Sequence, residues 1–406
     1  MELEFDVAIC GAGPGGAALA SIFASRGIKT ALFERQSDFS REFRGEGVMP
    51  SGYEALKSIG FDLEKIDLPM QKNFAGKFYY HGEHLVDVEF PFKVTGGLRW
   101  VSQPALLEHM ILTSQENNNF NFFRGHRIYD VIYQNERVSG LRVANKDKQF
   151  DVKAKVIIGF DGRTSILRRK LNFDTIDFKQ IIDIIWFKVP YPHEFMNTGT
   201  AFVNFVPGGF MVCPACYDDT LQVGWIITKG SYREVKELGE EAWISEIQKD
   251  CPKKFSQHLE KCRGRIKNKF VLDVGLDRCK EWSKKGVLLL GDAAHTMNPV
   301  GGQGINIALR DAIVAANHLV PVLGTGISAS ELDSIYKQIE KERLPEVKKI
   351  QNFQKRPTTA FKKQNPLVMF MIKNLPTITK FSFVRGKMLK LAEMMAYGVT
   401  KVDLEV

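Results

Sequence analysis

The sequence predicts an α/β fold that carries an inserted, mainly antiparallel β-sheet and ends in a helical tail. Short apolar runs at 5–10, 156–160 and 287–290 have the unbroken hydrophobicity of buried parallel strands. Each run is followed by a polar, glycine-containing turn and a segment compatible with a helix. Between these runs, segments at 74–101 and 181–228 are rich in β-branched and aromatic residues, which favours further strands. We therefore expect two domains that interleave along the chain.

The composition is that of a globular protein with an unusual segment near its end. Hydrophobic residues make up 44% and charged residues 25% of 406 positions, and a chain of this length can bury a large core. Residues 351–406 hold ten Lys or Arg and three Asp or Glu, so they supply +7 of the net charge of +9. Because the basic charge is confined to this tail, we predict no nucleic-acid partner.

The sequence carries no signal for secretion or membrane insertion. The acidic start at 1–4 is unlike the basic start of a signal peptide. No run reaches the roughly 18 apolar residues of a spanning helix. Six cysteines do not suggest a disulfide framework, and no Cys/His cluster has zinc spacing. A cytoplasmic protein without a bound metal is the expectation.

The turn after the first strand has the spacing of a dinucleotide-binding motif. Gly11, Gly13 and Gly16 allow a tight turn, close approach of a pyrophosphate and tight helix packing. Glu34 ends the next strand, 18 residues after Gly16, where such folds bind a ribose. An acid there favours a free 2′-hydroxyl, as in FAD or NAD, over the 2′-phosphate of NADP. The predicted contacts are Gly11, Gly13, Gly15, Gly16, Glu34 and Arg35.

The middle of the chain alternates between the two predicted domains. A loop at 41–50 contains Arg41 and Arg44, which suit a phosphate or sugar clamp, with a solvated loop as the alternative. Gln103 and the following proline open a helix that runs to 114. The run at 156–160 leads into Asp161 and Gly162, just before a capped helix. The remaining predicted elements are a hairpin at 78–88, strands at 181–189, 201–206, 211–215 and 221–228, and one helix at 234–250.

The third strand-to-helix turn lies at 291–306. Apolar or small residues recur at helical spacing from 305 to 316, so the turn ends at a helix N-terminus. Such an end presents N–H groups and a positive dipole to an anionic group. Asp292 directly follows the strand, and its carboxylate suits a sugar hydroxyl better than a phosphate.

Together these turns resemble the three signatures of the class A (single-component) FAD-dependent aromatic hydroxylases, which include para-hydroxybenzoate, ubiquinone-pathway and polyketide hydroxylases. The likeness rests on the glycine motif with Glu34, on Asp161-Gly162, and on the sequence Gly-Asp-Ala-Ala-His-x-x-x-Pro at 291–299. It implies a Rossmann-like FAD-binding domain of the glutathione-reductase type with an interleaved substrate domain. The expected boundaries are 1–73, 104–180 and 280–350 for the FAD-binding domain, 74–103 and 181–279 for the substrate domain, and 351–406 for the basic helical tail.

The resemblance also implies roles for single residues. Gly11, Gly13 and Gly16 would hold the FAD pyrophosphate, and Glu34 the adenosine ribose. Arg44 would lie along the ribose and pyrophosphate. The remaining implied positions are Gln103 on the flavin, Asp161 and Gly162 in a motif linked to FAD and NAD(P)H, Asp292 on the ribityl chain or ribose, Gly304, Ile305 and Asn306 along the ring, and Pro299 and Gly301 at its oxygen-reacting face.

The implied activity is that of an FAD-dependent monooxygenase. NADPH or NADH would reduce the flavin, which would react with O₂ to form a C4a-hydroperoxide and hydroxylate an aromatic, quinone-like or polyketide-like molecule. A phenolic substrate also benefits from a base, for which Tyr79, His81 and Tyr217 are candidates, with a structural role as the alternative for each. Two other functions stay open: a flavin-dependent reductase or oxidase of an isoprenoid or polyketide, similar to geranylgeranyl reductases, and a flavin-binding protein without turnover.

The basic tail is rich in Met and Phe. The segment 365–373 is apolar on all sides, and 385–397 is amphipathic with several lysines. Such a tail can lie on an anionic membrane or control access for a lipophilic substrate. The alternative is a pair of helices packed against the core.

Overall fold

The fold combines a mixed sheet flanked by helices with a second, mainly antiparallel sheet. The computed structural model describes residues 3–40, 46–89, 97–206, 209–362 and 365–406. The strands are β1 (Leu3–Cys10), β2 (Thr30–Glu34), β3 (Gly47–Val48), β4 (Met70–Asn73), β5 (Ala75–Tyr80), β6 (Glu83–Glu89), β7 (Leu98–Val101), β8 (Phe120–Arg124), β9 (Arg127–Gln134), β10 (Arg137–Ala144), β11 (Gln149–Gly159), β12 (Thr175–Asp177), β13 (Ile182–Pro190), β14 (Thr200–Val206), β15 (Gly209–Cys213), β16 (Thr220–Thr228), β17 (Lys267–Leu272), β18 (Asp277–Cys279), β19 (Ser283–Lys284) and β20 (Val287–Leu289).

The α-helices occupy both ends of the chain and the connections between the sheets. They are α1 (Pro14–Ser25), α2 (Pro50–Ser58), α3 (Gln103–Gln115), α4 (Ile166–Lys170), α5 (Tyr232–Glu237), α6 (Glu240–Lys249), α7 (Lys253–Lys261), α8 (Gly304–Leu323), α9 (Ala329–Lys362), α10 (Pro366–Lys373), α11 (Leu375–Ile378) and α12 (Ser382–Tyr397).

The first sheet contains the three predicted parallel strands. Its path is β19-β20-β11-β1-β2-β8, with β1 parallel to both β11 and β2, and β20 parallel to β11. These strands are continuously apolar because helices cover the sheet, and β20 is fully buried. The carboxyl ends of β1, β11 and β20 therefore meet at one edge, which brings the three motif turns together.

A seven-stranded sheet forms the second layer. Its order is β17-β13-β16-β15-β14-β5-β6, and every pairing is antiparallel except β14 with β5. Its apolar core is separate and includes Phe187, Phe202, Trp243 and Phe255. A three-stranded sheet, β3-β7-β4, is formed by residues that connect the two layers along the chain. The α/β fold with a mainly antiparallel insert is thereby confirmed.

Three sequence-based expectations differ from the structure. The single helix expected at 234–250 is two helices, because Gly239 has φ = +83° and ends the helical path between α5 and α6. The expected start of the tail at 351 lies inside α9, where Gln351 and Gln354 are fully buried. β7 lies in the segment expected for the substrate domain, yet it pairs with β3 and β4 of the other segment. The domain boundaries otherwise stay predictions.

The chain ends along α8. Arg310 donates to the carbonyl of Tyr397 at 3.4 Å, and Asn317 donates to the carbonyl of Asp403 at 2.8 Å. Residues 399–406 are thus held to the core, whereas many large apolar side chains of α10 and α12 are exposed. In the described part of the chain, no helix is long and apolar enough to cross a membrane.

Candidate active site

The glycine turn between β1 and α1 is shaped by close backbone contacts. A Cβ atom on Gly16 would lie 2.0 Å from the Gly11 carbonyl oxygen, and one on Gly11, at φ = +99°, 2.4 Å from that of Phe160. One on Gly15 would lie 2.5 Å from the Phe160 ring. By contrast, a Cβ on Gly13 would meet no atom of the described residues within 4 Å. Glycine at Gly13 is therefore not required by the packing of the chain itself, as expected where a pyrophosphate approaches the backbone.

Glu34 lies directly beside this turn. Its Oε2 accepts a hydrogen bond from the Ala12 N–H at 3.2 Å, and its Oε1 accepts one from the Gln36 N–H at 3.0 Å. The residue is 9% exposed, so both carboxylate oxygens are held in place beside the turn. Arg35 is exposed. Arg41 and Arg44 lie outside the described residues.

The second motif is built around a helix cap. Asp161 Oδ2 accepts hydrogen bonds from the N–H groups of Ile166 and Leu167 at 2.7 and 3.2 Å, at the start of α4. Its Oδ1 is buried and has no hydrogen-bond partner in the described part of the chain, and burial raises the pKa of the carboxyl. Gly162 has φ = +77° and open space beside it. One Asp161 oxygen thus orders the turn and the other is free to meet a ligand.

The third motif places a carboxylate next to the second. Asp292, in a short 3-10 turn after β20, accepts from Arg163 Nε at 3.3 Å and from the Met297 N–H at 3.4 Å. Its side chain remains 32% exposed. Arg163 follows Asp161-Gly162 directly, so this ion pair joins two motifs that lie 129 residues apart. The carboxylate is positioned but accessible, which suits a sugar hydroxyl.

The loop before α8 adopts glycine-specific backbone angles. Gly301 has φ = +82° and Gly302 has φ = +60°, and the Gly302 N–H donates to the Pro299 carbonyl at 2.9 Å. Gly304 and Ile305 are the first residues of α8, so their N–H groups lie among those that the helix leaves unpaired. This helix end offers N–H donors and a positive dipole to a polar ring edge.

Side chains tie this loop to two other elements. Asn306 accepts from the Met49 N–H at 2.9 Å and donates to the Gly302 carbonyl at 2.7 Å. Gln303 donates to the carbonyls of Gly301 and Met395, at 2.8 and 2.7 Å. The side chain of Asn306 therefore orders the loop, and a contact from this residue to a flavin would come from its backbone.

Three further candidate residues, Gln103, His81 and Tyr79, lie in different surroundings. Gln103 is the half-buried first residue of α3, next to the N-cap Ser102. His81 pairs with Asp250 at 3.0 Å, and Tyr79 packs edge-on against Phe202. These contacts give both side chains structural partners: Asp250 at the end of α6 for His81, and Phe202 of β14 for Tyr79.

Tyr217, the third candidate base, differs from His81 and Tyr79 because its hydroxyl contacts a buried glutamate. Its hydroxyl donates to Glu46 Oε1 at 2.9 Å. Glu46 precedes β3 and was missed at the sequence level, where the loop was interpreted through its arginines. An acid between two glycines, Gly45 and Gly47, was the available signal.

His295 of the third motif belongs to the core. It is 1% exposed, and its Nε2 lies 2.9 Å from Asp311. Its ring also packs against Trp282 at 4.6 Å. Among the residues that the structure describes, no cluster of His, Cys, Asp and Glu could hold a metal ion.

Comparison with known proteins agrees with this geometry. Residues 4–354 match the FAD binding domain family. The chain belongs to this family. It is 26% identical over 335 residues to 6-methylpretetramide 4-monooxygenase of Streptomyces rimosus, covering 80% of this chain and 77% of that protein. It is also 23% identical over 354 residues to digeranylgeranylglycerophospholipid reductase of Methanosarcina acetivorans, covering 83% and 81% of the two chains.

The fold also matches solved structures. The crystal structure of p-nitrophenol 4-monooxygenase from Pseudomonas putida aligns with a TM-score of 0.78 at 18% identity, over 98% of this chain and all of that one. The expected family, the FAD cofactor and the assignment as an FAD-dependent oxidoreductase of the monooxygenase type are confirmed. The roles of single residues stay predictions.

Proposed function

We propose that this protein hydroxylates a small aromatic, quinone-like or polyketide-like molecule, using NADPH or NADH and O₂. The observation that carries the proposal is the convergence of three motif turns at one sheet edge, with open space beside Gly13. FAD, when bound, supplies the redox chemistry by accepting a hydride and activating O₂. The protein must bind the cofactor, orient the substrate and exclude water.

Specific residues would hold the cofactor. The turn at Gly11–Gly16 accommodates the pyrophosphate, and Glu34 accepts from the adenosine ribose. Asp292 accepts from the ribityl chain or a ribose, and the first N–H groups of α8 meet the ring. Support comes from the positions of these groups: Glu34 contacts Ala12 inside the glycine turn, and Asp292 is paired with Arg163 beside Asp161.

Two glycine variants test the cofactor site. Gly13→Ala adds a methyl group where the protein has space but the pyrophosphate would lie, so we expect a folded protein that loses most of its FAD. Gly16→Ala places the methyl group against the Gly11 carbonyl and should destabilise the fold itself. Flavin absorbance and urea unfolding distinguish the two effects. Stoichiometric FAD in Gly13→Ala would contradict this placement of the pyrophosphate.

Asp292→Ala tests the third motif separately. Loss of FAD with little change in the fold is expected, because Asp292 is partly exposed and its ion pair with Arg163 is not buried. Asp87→Ala is a matched control, since this exposed acid pairs with His84 on β6, the edge strand of the seven-stranded sheet. Equal FAD retention in both variants would remove the assigned role of Asp292.

A reductase of an isoprenoid or polyketide is the second candidate. The likeness to a digeranylgeranylglycerophospholipid reductase favours it. The FAD-loaded protein is mixed with NADPH and candidate substrates while O₂ uptake and product mass are followed. A product that gains one oxygen atom supports hydroxylation, and a product that gains two hydrogens without O₂ uptake supports reduction. A protein that binds FAD but makes neither product would indicate a flavin-binding role without turnover.

We further propose a cytoplasmic protein whose C-terminal helices contact a membrane peripherally. Nine large apolar side chains between 367 and 397 are exposed. Residues 365–392 contain five Lys or Arg and no Asp or Glu. Apolar side chains combined with basic charge are the two signals that bind a helix to an anionic bilayer surface.

Vesicle flotation tests this contact. The FAD-loaded protein should float with phosphatidylglycerol vesicles at low salt and less with phosphatidylcholine vesicles. Phe381→Ser/Phe383→Ser should abolish flotation, because both side chains are exposed on the tail. Leu112→Ser/Tyr133→Ser, which changes two exposed apolar residues elsewhere, should leave it unchanged. Equal flotation of the two double variants would overturn the proposal.

A further inference from the structure

A buried polar cluster lies where the flavin-side loop meets the seven-stranded sheet. Glu46, at its centre, immediately precedes β3 and is 4% exposed. Its backbone carbonyl accepts from the Val101 N–H at 3.0 Å, which places it beside β7. From the other side, Tyr217 donates its hydroxyl to Glu46 Oε1 at 2.9 Å. Glu46 thus connects the two layers of the molecule.

Two polar atoms in this cluster have no partner among the residues that the structure describes. These atoms are Glu46 Oε2 and Gln222 Nε2, both buried. Gln222 is 1% exposed, and its Oε1 accepts from Trp100 Nε1 at 2.9 Å. The Trp100 ring lies against Gly47, where a Cβ atom would be 2.9 Å away. A buried acceptor and a buried donor left unpaired are unfavourable unless a ligand satisfies them.

The charges around Glu46 partly compensate one another. Lys188, on β13, pairs with Asp218 at 3.0 Å and lies 5.0 Å from the Tyr217 ring. The thiol of Cys216 is also nearby and buried. Burial raises the pKa of Glu46 to about 7, opposed by Lys188 and by the hydroxyl of Tyr217. Such an acid exchanges a proton near neutral pH, which suits proton transfer.

The residues after Glu46 contact the loop assigned to the flavin. The Gly47 carbonyl accepts from Asn306 Nδ2 at 3.5 Å, and the Met49 N–H donates to Asn306 Oδ1 at 2.9 Å. The end of the Met49 side chain lies 3.1 Å from the position of a Cβ on Gly302. Gly47 and Met49, one and three residues after Glu46, therefore contact the segment 299–306.

We propose that Glu46 binds the hydroxyl group of a phenolic or enolic substrate and accepts its proton, while Gln222 Nε2 donates to an oxygen of the same molecule. The substrate O–H bond breaks, an O–H bond forms at Glu46 Oε2, and the electron pair stays on the substrate oxygen. The anion donates this pair into the ring, which makes the carbon ortho or para to it a better nucleophile for oxygen transfer. This inference rests on the proposed hydroxylation and narrows its substrate class.

Infrared titration of the FAD-loaded protein tests the acid without any substrate. The protonated carboxyl band of Glu46 should titrate near neutral pH and be absent in Glu46→Gln. Tyr217→Phe should move its midpoint to higher pH, because the hydroxyl favours the ionised carboxylate. Tyr191→Phe is the matched control, since its hydroxyl donates only to the carbonyls of Asn197 and Thr200 in the same sheet layer. A band unaffected by Glu46→Gln, or equal midpoints in both tyrosine variants, would overturn the assignment.

Turnover tests the proton transfer itself. With whichever of 4-nitrophenol, 4-hydroxybenzoate or a naphthol the wild type hydroxylates, Glu46→Gln should keep its FAD and lose about 10²- to 10⁴-fold in kcat. Raising the pH until the phenol ionises by itself should restore much of the rate, which a structural defect would not allow. Full activity of Glu46→Gln at neutral pH contradicts the inference. If the wild type consumes NADPH but hydroxylates no phenol or enol, the substrate class fails even where the infrared result stands.

Discussion

Two buried glutamates differ in how many partners their carboxylates have. Glu346 lies in the helical layer, and Glu46 lies between the layers. Glu346 is fully buried on α9, where Arg310 Nη2 donates to Oε1 at 2.9 Å and Arg343 binds Oε2. The Val399 N–H also donates to Oε1 at 2.6 Å. Within the described ranges of the chain, Glu46 accepts from the hydroxyl of Tyr217 and its other carboxylate oxygen has no partner. The first acid is fully compensated and the second is not.

The pKa values of the two acids follow from this difference. Burial would raise both, but Arg343 and Arg310 lower the pKa of Glu346 below its ordinary value. Burial dominates at Glu46: Lys188 lowers the pKa but is itself paired with Asp218, whose charge raises it, and the pKa of Glu46 rises to about 7. A compensated acid stabilises a fold, whereas an uncompensated one is available for binding and proton transfer.

Arg343→Met should change the free energy of unfolding more than the other substitutions proposed for these two acids. It removes the guanidinium that binds both Asp311 and Glu346 and leaves two buried carboxylates under-compensated. We expect a loss of about 3–5 kcal/mol in the free energy of unfolding, measured in urea by circular dichroism. Arg233→Met, which breaks an exposed pair with Glu237, should cost less than about 0.5 kcal/mol. Equal losses would show that the network is not what stabilises α8 and α9.

Glu46→Gln should have an intermediate effect on the free energy of unfolding, and this effect should depend on pH. A carboxyl whose pKa rises from 4.5 to about 7 on folding contributes stability below pH 4.5 and loses it as the pH rises through 7. The glutamine variant lacks this loss, so its stability relative to the wild type should improve by about 2–3 kcal/mol between pH 5 and pH 8. Glu346 has the opposite sign, since its lowered pKa gives stability that is lost on acidification. A pH-independent difference would contradict the raised pKa.

Asp218→Asn should have the smallest effect on the free energy of unfolding, although it should shift the pKa of Glu46. The charge of Asp218 raises the pKa of Glu46, so its removal should move the Glu46 midpoint to lower pH. Asp218 is 39% exposed, and we expect a stability change below about 1 kcal/mol at pH 8. The midpoint shift should shrink in 1 M salt because the charge is screened. Asp218→Asn also frees Lys188 from its ion pair, which should favour the ionised Glu46 carboxylate. A shift of the Glu46 midpoint to higher pH would contradict this account.

Most of the flavin-binding half was predictable because its signals are local. The apolar runs before Gly11, Asp161 and Gly291 mark parallel strands, and parallel strands place the following turns at one edge of a sheet. The terminal acid Glu34 accepts a hydrogen bond from Ala12 in the glycine turn, and its contact with a ribose stays a prediction. Such features depend on spacing within a few residues, which the sequence displays directly.

Sequence patterns are least informative where long-range packing decides the structure. The sequence at 234–250 favours a helix throughout, and only the positive φ of Gly239 in the folded chain divides it. The basic composition after 351 suggested a separate tail, but buried hydrogen bonds of Gln354 to the carbonyls of Asn298 and Val300 keep α9 in the core. Composition does not indicate which residues a helix contacts.

The sequence by itself determined the family and the cofactor, and it indicated the edge of the sheet to which we assign the cofactor, because these follow from motifs along the chain. Only the tertiary structure decided which acid is left uncompensated. Glu46 and Tyr217 lie 171 residues apart and meet through a hydrogen bond between two layers. The pKa of a buried carboxyl depends on the donors and charges that folding brings within a few ångströms, and no local pattern specifies them.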